Sequence, residues 1–94
     1  MTMLTMKCKS VGNPDHGQYQ PISDPVLVTG QTFSEIRSKA QKYIADNALG
    51  GGNWPNCQVM RGGKPVALMS YNGRFWTPEK NWEERKEIPV EKGE

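Results

Sequence analysis

The chain has 94 residues, 35% of them hydrophobic, with ten Gly and seven Pro, which leaves room for one small core and many loops. No apolar run approaches the roughly 20 residues of a membrane span, and the first ten residues interleave apolar side chains with Thr and Lys rather than forming a signal-peptide core. The net charge of +2 conceals an asymmetry. Residues 1–78 hold eight Lys/Arg against four Asp/Glu, and residues 79–94 hold four against six. Such a mildly basic body steers toward an anionic partner but falls short of a dedicated nucleic-acid-binding domain.

Leu4, Met6 and Cys8 alternate with Thr5, Lys7 and Lys9, the period of a half-buried strand. Residues 11–25, with Gly12, Asn13, Pro14, Gly17, Pro21 and Pro25, form a turn-dense loop. Val26 to Thr29 is a short β-branched run and a second strand. Thr32 with Glu35 predicts a capping box. Behind it Phe33, Ile36, Ala40, Tyr43, Ile44 and Asn47 recur at helical spacing, giving a stripe that faces a core. The glycines at 50–52 are expected to stop this helix and to act as a flexible joint.

Two hairpins follow. Gly62-Gly63 and Asn72-Gly73 both read as two-residue turns, because such loops need positive φ. Pro65 places the start of its strand at an edge or a bulge, since proline cannot donate to the ladder. With both turns two residues long, alternation sends Cys57, Val59, Val66, Leu68 and Phe75 to a core. Gln58, Met60, Ala67, Met69, Tyr71, Arg74 and Trp76 then fall on the outer face. In that register Arg61 faces Lys64, Tyr71 faces Arg74 and Met69 faces Trp76. Pro78 ends the last strand, and beyond it Trp82 is the only aromatic residue.

The expected architecture is α+β, a small antiparallel sheet of three to five strands with one helix on one face. One domain spans 1–94, with 1–78 as the folded body and 79–94 as a charged, fraying tail.

No catalytic, metal or cofactor constellation emerges. His16 is the single histidine, in a turn beside Asp15, and nothing in the spacing brings it to Cys8 or Cys57. Two Cys and one His at scattered positions do not make a zinc site. Gly50-Gly51-Gly52 lacks the Lys-Ser/Thr of a phosphate loop. Both cysteines fall on apolar strand faces and read as buried, reduced thiols, which suits a cytoplasmic protein.

The outer hairpin face is therefore the candidate site. Met69, Tyr71, Arg74 and Trp76 supply the aromatic, Arg and Met content in which interface centres are enriched. Arg61 and Lys64 set two like charges across a turn, a cost that an anionic partner relieves. Lys39, Lys42, Lys7 and Lys9 are further candidate contacts to RNA or an acidic surface. A homodimer through the same strands is a third use of this face. Glu35–Lys39 and Lys42–Asp46 are also i,i+4 pairs, the usual mark of a solvated helix face.

The plan of one short strand, one capped helix and a hairpin sheet carries Gly-Gly-Lys-Pro-Val-Ala and Ser-Tyr-Asn-Gly-Arg-Phe-Trp. It resembles the small phage-encoded anti-CRISPR proteins that inhibit the type I-F RNA-guided surveillance complex. The likeness covers roughly residues 26–78 and rests on architecture, with no motif through which a functional residue can be transferred. It implies a non-catalytic inhibitor in the host bacterial cytoplasm that docks on the complex's subunits, touches guide RNA, and blocks target DNA hybridisation. The residues themselves leave a second reading open, a small domain that binds single-stranded nucleic acid through Tyr71, Arg74 and Trp76.

Overall fold

A computed structural model describes residues 3–79 and 81–90, with Trp82 described by its backbone alone. The chain forms one open antiparallel sheet with a single helix. The strands are β1 (Leu4–Cys8), β2 (Val26–Gly30), β3 (Gln58–Arg61), β4 (Lys64–Met69), β5 (Phe75–Trp76) and β6 (Glu87–Ile88), and α1 spans Phe33–Asp46. The spatial order is β2-β1-β3-β4-β5-β6. The α+β architecture is as expected, with one strand more than the upper bound. The extra strand comes from the acidic tail: Thr77 and Lys86 exchange bonds, Phe75 pairs with Ile88, and Ile88 and Val90 pack against the core. The tail thus contributes an edge to the sheet through residue 88 instead of fraying from residue 79.

α1 starts where the sequence places it. The Thr32 hydroxyl accepts from the Glu35 N–H at 3.1 Å, while the Glu35 carboxylate accepts from Gln31 N–H rather than from the cap residue. Ile36, Ala40, Tyr43 and Ile44 are buried on one stripe. They meet Leu4, Met6, Cys8, Val59, Met69 and Phe75, and the Phe33 and Phe75 rings lie 4.8 Å apart. The stop comes earlier than the glycines. Ala48 takes the left-handed conformation, φ 52, and Leu49 N–H reaches back to the Ile44 carbonyl at 2.9 Å, as in a Schellman ending. Gly51 to Asn53 form a short 3-10 turn, not a loose joint. Asn53 is buried and binds Val11, Gln18 and Gly50, fastening the loop of residues 11–25 to this turn. Ser10, Ser23 and Tyr43 link hydroxyls on the loop's other flank.

The hairpins depart from the expected register twice. Gly62 and Gly63, at φ 59 and 80, make the two-residue turn, so Arg61 does face Lys64. Then Met60 pairs with Pro65 while Val59 pairs with Ala67, leaving Val66 as an additional residue on β4. This is the bulge that Pro65 signalled. The second turn holds three residues, Tyr71 to Gly73. Ser70 pairs its backbone with Arg74 and Gly73 takes φ 85, the left-handed position of three-residue hairpin loops. Trp76 consequently faces Leu68 and Phe75 faces Met69.

The two one-residue slips cancel at β5. Phe75 is inside and Trp76 outside, as alternation predicts, but β4 is inverted between them. Ala67 and Met69 enter the core, and Leu68 lies on the opposite face, outside the helix-side cluster.

Candidate partner-binding face

The sheet has a second face, turned away from α1. The observed register places Thr5, Lys7, Leu27, Thr29, Gln58, Met60, Leu68, Trp76 and Glu87 on it. Beneath Lys7 and Lys9 it forms a groove of about 540 Å³. Thr5, Gln58, Met60 and Leu68 make the floor, and Leu27, Pro55 and Arg85 line the sides. Leu27 is 65% exposed, whereas Leu68 is only 8% exposed although it faces away from the helix.

The electrostatics of this groove are one-sided. Among the described residues, Lys7, Lys9 and Arg85 line it and no Asp or Glu does. Arg85 is held in place by its Nε, which donates to the Glu79 carbonyl at 2.8 Å. Lys7 and Lys9 are exposed, and among the described residues neither is in an ion pair. An anionic ligand would meet three cations without first displacing a carboxylate.

Of the six hairpin residues in the expected patch, the structure brings Trp76 and Arg74 to one side. Arg74 faces Ser70, not Tyr71, and its Nε lies 3.9 Å from the Glu87 carboxylate with both groups exposed, a contact of little energetic weight. Met69 is the clear correction. It is 0% exposed in the helix-side core and cannot touch a partner, because the bulge at Val66 turns β4 over. Tyr71 does not join Trp76 either: its hydroxyl donates to the Leu49 carbonyl at 3.2 Å and its ring lies over Gly51. Arg61 and Lys64 are exposed at the hairpin tip, at the Leu4 end of β1 and far from Lys9.

The helix lysines do not widen the basic footprint. Lys39 donates to the Thr29 carbonyl and Lys42 pairs with Asp46 at 2.7 Å, both on the layer opposite the groove. Lys7 and Lys9 do join it. Arg85 and Asn56 are the residues that sequence reasoning passed over. Arg85 carries no local signal, because only the β5–β6 pairing folds the tail back over the sheet. Asn56 had one: Asn after proline is a residue type that accepts left-handed backbone, and it sits at φ 52.

Burial pushes the Cys57 thiol up, and burial together with the neighbouring Cys57 pushes Cys8 up to about 12. Both are free and buried, so neither offers a ready thiolate. His16 is exposed in its turn. Among the described residues there is no group of three His, Cys, Asp or Glu that could hold a metal ion, and no helix is long and apolar enough to cross a membrane. No protein-family model matches the chain, and neither a curated protein nor a solved structure does.

Proposed function

We propose that this chain is a non-catalytic docking protein, an inhibitor that seats its open sheet face on an RNA-guided surveillance complex of the type I-F kind and keeps target DNA from hybridising. The observation that carries the reading is the groove on the sheet face turned away from α1: three cations and, among the described lining residues, no carboxylate, beside the apolar Leu27, Met60 and Leu68. An obligate surface of that composition is costly to leave unused in so small a protein, and it suits an anionic ribonucleoprotein better than a neutral partner. The resemblance of the hairpin sheet and its size to anti-CRISPR inhibitors supplies the partner class. The bulge in β4 contributes by turning Leu68 to the face that also carries Met60 and Trp76, an apolar strip rimmed by charge.

The test mixes purified type I-F surveillance complex with the protein, then adds labelled target DNA. The expected result is co-elution with the complex and loss of DNA capture, both relieved by Lys7→Glu with Lys9→Glu. Undiminished DNA capture at saturating protein would end this reading.

A further inference from the structure

Two hollows on the open face share a wall. Beside the three-cation groove lies a second hollow of about 220 Å³ lined by Asn56, Ser70, Trp76 and Arg85. Asn56 and Arg85 line both, so the two hollows are neighbours across a common wall. Asn56 holds left-handed backbone at this junction, a strained conformation that tends to cluster at functional sites. Arg85 donates from Nε to the Glu79 carbonyl, which holds its guanidinium where it lines both hollows.

We propose that this double hollow binds single-stranded RNA, with backbone phosphates along Lys7, Lys9 and Arg85 and one unstacked base against Trp76. The proposal rests on the docking reading above and names the chemistry of the docked surface. Lys7 and Lys9 are two positions apart on one strand, so their Cα atoms lie about 7 Å apart, a separation of the order of successive phosphates in an extended single strand. The smaller hollow supplies what an isolated base needs. Indole and guanidinium offer flat faces for stacking, and the Asn56 amide and Ser70 hydroxyl offer hydrogen bonds to a base edge. A base held in a duplex cannot enter it. Thr5 and Gln58, which line the groove together with Lys7, give a 2′-hydroxyl both donors and acceptors, which favours RNA over DNA.

Fluorescence anisotropy of a short oligouridine RNA, its DNA counterpart and a duplex RNA, each titrated with the whole protein, tests this. The RNA is expected to bind at low salt with log K falling against log salt at a slope of about −2, near 0.7 for each of three phosphates. Lys7→Ala with Lys9→Ala should remove most of that slope, and Trp76→Leu should weaken binding at least about fivefold. The DNA and the duplex should bind more weakly. No RNA binding at low salt, equal affinity for DNA, or indifference to Trp76→Leu each overturns the proposal, the last by reducing the site to a polyanion surface. If Trp76→Leu fails to fold by circular dichroism, Arg85→Ala takes its place, with a shallower slope and weaker binding expected. Blocked DNA capture without RNA binding overturns the RNA site and leaves the docking function; RNA binding without blocked capture does the reverse.

Discussion

The indole N–H of Trp54 donates to the Met69 carbonyl at 2.7 Å inside the core, while the Met69 N–H donates to the Cys57 carbonyl at 3.0 Å. The last residue of β4 is thus held by both of its backbone groups. That double attachment fixes the inverted register of β4, and with it the residues presented on the open face. Trp54→Phe keeps most of the packing but leaves a buried carbonyl without its donor. It should cost about 1–3 kcal/mol, read from the midpoint of urea denaturation. A change below about 0.5 kcal/mol would show that the bond does not hold the strand.

Met69 and Met60 differ in face, not in type. Met69→Ala empties a fully buried position and should destabilise by about 2–5 kcal/mol. Met60 is half-buried on the groove floor, so Met60→Ala should lose well under half as much by the same measurement. Comparable losses would mean that the bulge at Val66 is misplaced.

Two turn glycines have positive φ for different reasons. A methyl group at Gly63 would meet open space, so Gly63→Ala carries only the backbone penalty, about 1–2 kcal/mol. At Gly73 the same methyl would approach Arg37 and Gln41 side-chain atoms at 2.9 and 2.8 Å. These are flexible ends that can move, so Gly73→Ala should exceed Gly63→Ala modestly in thermal denaturation. Asn replacement at either site should recover part of the loss, because Asn tolerates left-handed backbone.

The thiols set an alkaline limit. Cys8 and Cys57 both titrate higher in the folded protein than in the unfolded chain. Above the ordinary thiol value of about 8.5 the unfolded state therefore binds fewer protons, and stability falls as pH rises toward 12. Stability that stays level between pH 8.5 and about 11 in the wild type, when compared with Cys8→Ala with Cys57→Ala, would contradict this. In the native state both thiols should also react with iodoacetamide far more slowly than in urea.

Much of the fold is written in local pattern. Thr32 with Glu35 marks the helix start, the stripe from Ile36 to Ile44 names its buried face, and alternation over Leu4 to Cys8 identifies β1. Gly62-Gly63 announces its turn, and Pro65 points to the bulge. Other features had no such signal. The Asn72-Gly73 pair looks like a two-residue turn, but the loop recruits Tyr71, because pairing Met69 with Phe75 fills the core and lets the Tyr71 hydroxyl reach Leu49. The tail reads as solvated charge until Phe75 meets Ile88.

The sequence by itself determined the helix and the first five strands, the buried stripe of α1, and the inward Phe75 and outward Trp76. Only the tertiary structure decided which half of β4 faces the helix and that Arg85 returns over the open face beside Lys7 and Lys9. The reason is physical. Local propensity depends on neighbours within a turn or two, whereas strand register is settled by long-range hydrogen bonds and packing, and one residue of slip exchanges a strand's two faces.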